Sequence, residues 1–331
     1  MRLPGTTPPS ETATGVPPES AAGTNAGVTH HPATDPRTTG STSAPTPPPA
    51  APERGAAQTA PSPAAAPGDG TAPPQLRLTD VDKTYQARQG EVHALSNVNL
   101  TIARGEFISL VGRSGCGKTT LLRILSGLLP PTSGEVEADG APIWRGNKRN
   151  DEAFKQFGLV FQDANLFPWY TVAENISLPL KLRGVGKKQR LARASELAEL
   201  VGLPGFEKAY PRELSGGMRQ RAAIARALSY DPTILLMDEP FGALDALTRD
   251  KMNLELQNIH AQAGATVVFV THSIPEAVFL ADRVVLLSPR PGRIRSITPV
   301  GLPRPRSLET ETSNDFQAIV RTLRTELDEE D

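Results

Sequence analysis

Residues 112–119 read Gly112-Arg113-Ser114-Gly115-Cys116-Gly117-Lys118-Thr119, and no other segment constrains the fold as tightly. The pattern G-x-x-x-x-G-K-[ST] carries meaning as a turn that follows a strand and opens a helix. Both flanks comply. Phe107-Ile108-Ser109-Leu110-Val111 is a short apolar run that predicts a buried strand. Downstream, Leu121, Leu122, Leu125 and Leu128 fit one helix face. Gly127 lies near the helix end, with Pro130 and Pro131 beyond it as stop signals. The glycines let backbone N–H groups curl around phosphate oxygens, and the helix N-terminus adds a favourable dipole. Lys118 is placed to reach β- and γ-phosphates, and Thr119 to put its hydroxyl on Mg²⁺.

Strand and helix signals alternate through the rest of the chain. Leu76, Leu78 and Val81 sit close to alternation, and Val98, Leu100 and Ile102 alternate clearly. Phe157 to Phe161 reads as a strand, and residues 171–212 as a mainly helical insert broken by Gly184, Gly186 and Pro204. Then come a helix from Ser215 to about Leu228, a strand at Ile234 to Met237 and a helix from Leu244 to about Ala261. Strands at Thr266 to Val270 and Asp282 to Ser288 follow. This order predicts a largely parallel sheet with helices on its faces. Near the end, Phe316, Ile319, Val320, Leu323 and Leu327 recur at helical spacing, an amphipathic helix expected to pack on its own domain.

Composition divides the chain near residue 75. The earlier residues are mostly Pro, Ala, Thr, Ser and Gly, with no Phe, Trp, Tyr, Ile or Lys. Such a stretch cannot bury enough apolar surface to offset ordering entropy, so residues 1–74 read as a disordered tail. A true start nearer residue 75 is the alternative. A folded domain is expected over 75–300, with its helical insert at about 163–213, and a C-terminal tail with the amphipathic helix over 301–331. A formal charge of −1 gives no basic footprint for nucleic acid. No apolar run approaches the roughly 20 residues needed to cross a bilayer, and no secretory h-region is present. Cys116 is the sole cysteine, so no internal disulfide can form and a reducing, cytosolic location is the default. Work at a membrane would go through a partner.

Two further constellations carry chemistry. Ile234-Leu235-Leu236-Met237 buries a strand from which Asp238 and Glu239 emerge at the C-terminal end, where ligands of open α/β sheets bind. Asp238 is placed to hold Mg²⁺, and Glu239 to orient or deprotonate an attacking water. In Leu214-Ser215-Gly216-Gly217-Met218-Arg219-Gln220, a Ser-Gly-Gly at a helix start makes a second anion site. One ATP has little use for two cradles in one chain. The economical reading assigns the second to ATP held by another copy.

Leu214 to Gly217 with Gln220 resembles the signature motif of ATP-binding-cassette (ABC) proteins, and the rest of that family's set follows in order. Tyr85 resembles the aromatic that stacks on adenine, Gln162 the Q-loop glutamine, Gly242-Ala243-Leu244-Asp245 the D-loop, and His272 the switch histidine. Taken singly, each has a bland rival: a strand-end aromatic, a surface amide, a surface charge, a polar strand-end residue. The ordered set, from about Leu76 to Ile294, carries the functional reading.

The resemblance implies an α/β fold, a P-loop NTPase core of the ABC ATPase type with an antiparallel β subdomain and a helical insert. It implies ATP bound by Tyr85, by Gly112 through Thr119 with Thr120, and by Asp245, and covered by Ser215, Gly216 and Gly217 of a second copy. It implies Mg²⁺ held by Thr119, Asp238 and Gln162, and catalysis by Glu239, His272 and Gln162. Closing and reopening this sandwich would drive a mechanical cycle.

Two longer stretches narrow the family. Residues 238–249 look like importer ATPases. Glu276-Ala277-Val278-Phe279-Leu280-Ala281-Asp282-Arg283, then Ser288-Pro289-Arg290-Pro291-Gly292-Arg293-Ile294, resemble the nitrate, sulfonate and taurine importers, as does Leu166-Phe167-Pro168-Trp169. By itself, Pro289 to Gly292 is a rigid turn between strands. The length left after it has no room for the long regulatory domain of sugar-type importers. The implied partners are integral-membrane permease subunits, a second copy of the chain and, indirectly, a periplasmic-type binding protein, with the ATPase peripheral on the cytoplasmic face of the membrane. An importer of a pyrimidine precursor and a soluble, non-transport ABC ATPase are the alternatives. Phe167, Trp169 and Tyr170 either anchor a partner or pack within the insert. The Cys116 thiol predicts that alkylation blocks ATPase activity and that ATP protects, unless the side chain is buried.

Overall fold

The computed structural model describes residues 73–329 apart from residues 88, 89 and 243. The expected tail therefore lies outside the described residues except for its last two positions, as does Ala243 of the expected D-loop.

The chain opens with two long antiparallel strands, β1 (Leu76–Ala87) and β2 (Gly90–Ile102), before β3 (Phe107–Val111), the phosphate-loop strand. Helix α1 (Lys118–Leu125) follows the loop, then β4 (Ser133–Ala138), the short strands β5 (Ala141–Pro142), β6 (Trp144–Arg145) and β7 (Lys148–Arg149), and α2 (Asp151–Phe154). Strand β8 (Phe157–Val160) leads into the insert, α3 (Val172–Leu182) and α4 (Lys187–Leu200). Helix α5 (Gly216–Leu228), β9 (Ile234–Asp238), α6 (Ala246–Ala263), β10 (Thr266–Val270), α7 (Ile274–Leu280), β11 (Arg283–Leu287), β12 (Ile294–Pro299) and α8 (Asn314–Asp328) complete it.

One sheet is antiparallel, in the order β2-β1-β4-β5. The other has six strands in the order β12-β11-β3-β10-β9-β8, parallel throughout except for β12. Every residue of β3 and β10 is buried, as strands covered on both faces require. Side-chain alternation assigns the two cores. Phe107, Leu235, Val267 and Phe269 join the face covered by the insert, α5, α7 and α8. Ile108, Leu236, Val268 and Val270 join the face covered by α1 and the antiparallel sheet.

Three local expectations change. The alternation slips within β1 because its register shifts between Leu78 and Val81, where Asp80 adopts φ 47°. Leu128 is not on the α1 face. The helix ends at Leu125, Gly127 turns the chain through φ 66°, and Leu128 is 53% exposed. Helix α6 starts at Ala246, not Leu244, because Asp245 caps it by accepting from Thr248 N at 3.0 Å. Helix α8 buries Phe316, Val320 and Leu323 against its own domain, next to α7.

Candidate active site

Parallel pairing brings three loops to one edge. Val270 of β10 lies level with Leu110 of β3 and Asp238 of β9. Gly112, Glu239 and Thr271 therefore leave the sheet side by side, at the C-terminal end where such sheets bind ligands.

The phosphate loop is held from within. Lys118 is 6% exposed, and its Nζ donates to Gly112 O at 2.7 Å and Arg113 O at 3.2 Å. The buried ammonium thus sits at the loop's centre. Gly117 precedes α1 with φ 105°, and a Cβ there would stand 2.7 Å from Leu95 Cδ2 and 2.9 Å from Ala94 O. Both backbone conformation and space demand glycine at this position.

Beside the loop, Thr119 Oγ1 donates to Asp238 Oδ1 at 3.3 Å. A hydroxyl and a carboxylate so placed are hard oxygen donors of the kind Mg²⁺ takes, so the residues fit that ion. Burial holds the Asp238 carboxyl above the ordinary carboxylate range, and Glu239 adds to the effect, while the Thr119 hydroxyl, Arg123 and Lys118 oppose it.

Glu239 occupies the left-handed region at φ 42°, a strained setting for a residue with a side chain. Its N–H donates to Val270 O at 2.9 Å, and its carbonyl accepts from Gly242 N at 3.1 Å. Its Oε2 lies 3.0 Å from His272 Nδ1. Gln162 is exposed on the same side. A Cβ on Gly242 would sit 3.7 Å from Glu239 Oε2 and 3.9 Å from Gln162 Nε2.

A cavity of about 340 Å³ collects most of these groups: Ser114, Gly115, Gly117, Lys118, Thr119 and Thr120 from the loop and α1, Glu239 and His272 from the sheet edge, and Tyr85, Val92 and Ala94 from the antiparallel sheet. Tyr85 Oη lies 3.3 Å from Thr120 Oγ1, which fixes the ring beside the loop. A larger cavity, about 510 Å³, lies between α4 and the end of α6 and touches none of the motif residues.

Ser215, Gly216 and Gly217 do not border the phosphate cavity. Ser215 Oγ caps α5 by accepting from Met218 N at 3.3 Å, and Ser215 and Gly216 are exposed. Asp245 is also separate from the cavity. Hydrogen bonds from Thr248 hold its carboxyl below the ordinary range. Cys116 lies in the loop but is 1% exposed, so the exposed-thiol expectation gives way to its burial condition.

The aromatic stretch is organised by Asn175, buried on α3. Its Nδ2 donates to Phe167 O, Tyr170 O and Thr171 O at 3.0–3.1 Å, and its Oδ1 accepts from Phe167 N at 2.7 Å. The backbone is thereby pinned while Trp169 remains 66% exposed.

Three residues quoted within the motifs gain contacts that the motifs did not state. Gln220, 3% exposed, donates to Phe161 O at 3.1 Å and ties the start of α5 to the residue before Gln162. Arg290, on the Pro-Gly turn, borders the phosphate cavity, and its Nη2 would lie 3.6 Å from a Cβ on Gly115. Glu276 is buried behind His272.

The ABC transporter family model matches residues 95–242. The chain is 44% identical to the aliphatic sulfonates import ATP-binding protein SsuB of Bacillus cereus, across 74% of this chain and 94% of that protein. It is 46% identical to the nitrate import ATP-binding protein NrtD of Synechocystis, across 69% and 83%. It is 49% identical to the taurine import ATP-binding protein TauB of Burkholderia pseudomallei, across 66% and 82%. Among solved structures, the dimeric post-hydrolysis state of the ATP-binding cassette MJ0796, bound to ADP and Pi, superimposes with a TM-score of 0.61 at 38% identity, across 68% of this chain and 98% of that one.

Proposed function

The chain belongs to the ABC transporter family, and on that premise we propose that it is the ATPase subunit energising an importer of a small oxyanionic nutrient: nitrate, an aliphatic sulfonate or taurine. The observation that carries the chemistry is the meeting of Lys118, the Thr119–Asp238 pair and the Glu239–His272 pair at one sheet edge.

In this reading, the loop amides and Lys118 hold the β- and γ-phosphates, and Tyr85 offers its ring to adenine. Thr119 and Asp238, with Gln162, would hold Mg²⁺, which when bound neutralises charge on the phosphates. Glu239 orients the attacking water and accepts its proton, and His272 hydrogen-bonds Glu239 while facing the γ-phosphate. Phosphoryl transfer asks mainly for positioning and charge neutralisation, which fixed groups of this kind supply.

Ser215 to Gly217 lie off the cavity of their own chain, which supports their use on the ATP of a second copy. No helix among the described residues is long and apolar enough to cross a membrane. The pore then belongs to permease subunits, with this chain peripheral on the cytoplasmic face and a substrate-binding protein acting from the far side. The exposed Trp169 beside the insert is a fitting contact for a permease.

The test is reconstitution with the cognate permease. Wild type should couple ATP hydrolysis to uptake of one of the three substrates. Glu239→Gln should bind ATP, form a stable dimer and lose roughly 10²-fold or more in turnover, the scale of a lost general base. Lys118→Ala should weaken both binding and turnover. Glu239→Gln turning over at the wild-type rate would overturn the assignment, and ATP-dependent uptake of none of these substrates would overturn the substrate class.

A further inference from the structure

Glu276 lies in the first turn of α7, four residues beyond His272, and is 7% exposed. The comparison with Glu106, 8% exposed, is instructive. Glu106 is fully engaged, its Oε1 accepting from Arg283 Nε at 2.5 Å and its Oε2 from Arg283 Nη2 at 2.9 Å and Ala103 N at 2.8 Å. Glu276 is engaged on one side only. Its Oε2 accepts from the Thr271 hydroxyl, whose oxygen accepts from Ser273 N at 3.0 Å. Ser273 Oγ in turn accepts from Glu276 N at 3.4 Å. Thr271 N is anchored to Leu110 O of the phosphate-loop strand at 3.2 Å. The backbone on both sides of His272 is thus bracketed by Glu276.

The other oxygen, Oε1, is buried and takes no hydrogen bond from a described residue. A buried acceptor without a donor is costly, and native structures rarely leave one unsatisfied. A cavity of about 10 Å³ adjoins the Glu276 side of this segment, and Glu239, Gly242, Arg249 and His272 are among the residues that border it with Glu276. That is room for roughly one water molecule. Burial pushes the Glu276 carboxyl up, and Glu239 adds to this, while the Thr271 hydroxyl, Arg249 and His272 pull it down. Arg249, on the first turn of α6, is tied to the segment before that helix. Its Nη2 donates to Leu244 O at 2.9 Å, and its N–H to Asp245 O at 2.9 Å.

We infer that Glu276 is a positioning residue for ATP hydrolysis, holding the 271–273 segment through Thr271 and joined by one buried water to Arg249. The link makes displacement of the 242–245 loop felt at His272. It gives a physical route by which the loop expected to touch the second copy reports to the γ-phosphate side. The inference rests on the roles proposed above for Glu239 and His272.

A double-mutant cycle in the assembled transporter tests it, with Glu276→Gln, Arg249→Gln and the double variant. Each single change should lower kcat roughly tenfold with KM for ATP within about twofold, and the double variant should be no slower than the slower single, as for two groups in one network. Thr271→Val should reproduce the loss, and it replaces Glu276→Gln in the cycle if thermal melting shows that variant unfolded. Losses that multiply, or a wild-type kcat in Glu276→Gln, overturn the coupling. A high-resolution crystal structure should place a water within hydrogen-bond distance of Glu276 Oε1, and a dry cavity overturns the bridge. Failure of the parent reading is separable, because it would show as wild-type turnover in Glu239→Gln whatever Glu276 does.

Discussion

Gly292→Ala perturbs the phosphate loop while leaving every proposed ATP-binding and catalytic residue in place. The turn that carries Gly292 is stitched to β2: Ser96 N donates to Gly292 O, and Gly292 N to Ala94 O, both at 3.0 Å. A Cβ added at Gly292 would stand 2.0 Å from Cys116 O and 3.2 Å from Leu95 Cδ2. Its φ lies outside the left-handed region, so space and not backbone conformation is the obstacle. Moving the carbonyl from 2.0 Å to the 3.0 Å that real Cβ contacts respect displaces it by at least 1 Å. The Cys116 carbonyl shares a peptide plane with the Gly117 N–H, one of the loop amides assigned above to the phosphates in the proposed function. Overpacking of this kind costs roughly 1–3 kcal/mol of stability. Misplacing a positioning group by about 1 Å can cost roughly 10²-fold in rate. The expected result is a melting temperature lowered by several degrees and kcat/KM for ATP down about a hundredfold. Scanning calorimetry, titration with a fluorescent ATP analogue and steady-state ATPase activity of the assembled transporter measure these. Wild-type affinity and turnover in a folded Gly292→Ala protein would refute the reasoning.

Burial of Cys116 predicts that a maleimide leaves the native protein unlabelled on a timescale that fully labels it in urea, with or without ATP; equal rates in both states would show the thiol to be accessible. Arg306 is 2% exposed, and its Nη1 donates to Val278 O, Phe279 O and Ala281 O at 2.8–3.0 Å, capping α7. Burial lowers its pKa to about 10. Arg306→Met should therefore cost roughly 3 kcal/mol or more in urea unfolding by stranding buried carbonyls, and a loss under about 1 kcal/mol would mean water replaces the guanidinium. His260 lies below its ordinary 6.5, chiefly through burial, with Arg304 adding to the shift. The folded state thus takes up a proton less readily than the unfolded chain, and stability should fall as pH drops below about 6.5. His260→Gln should flatten the melting temperature between pH 7 and pH 5.5, and an unchanged slope would assign the acid sensitivity elsewhere.

The parts of this molecule legible in the sequence are those whose chemistry is local. Gly117 and Lys118 state their purpose within one turn, and the four apolar residues of β3 announce a strand covered on both faces. Leu128 misleads because helical spacing continues past Leu125, while Gly127 has already turned the chain outward. Asp80 and the register shift beside it blur the alternation of the strand that carries Tyr85, so Leu76, Leu78 and Val81 signal its start but not its reach to Tyr85. Cys116, Gly292 and Glu276 were illegible for a different reason. Their meaning depends on a neighbour brought up by sheet pairing and not by sequence distance.

The proposed catalytic pair, Glu239 and His272, shows how far that dependence goes. Glu239 follows β9 by one residue and His272 follows β10 by two. They meet at 3.0 Å because Val270 is level with Asp238 and Glu239 N donates to Val270 O. A one-residue slip of β10 would turn Val268 and Val270 from the α1 face to the other core and carry His272 away from Glu239. The same packing that assigns Phe269 to one core and Val270 to the other therefore sets the distance between carboxylate and imidazole. Core residues with no chemistry of their own fix the geometry on which hydrolysis depends.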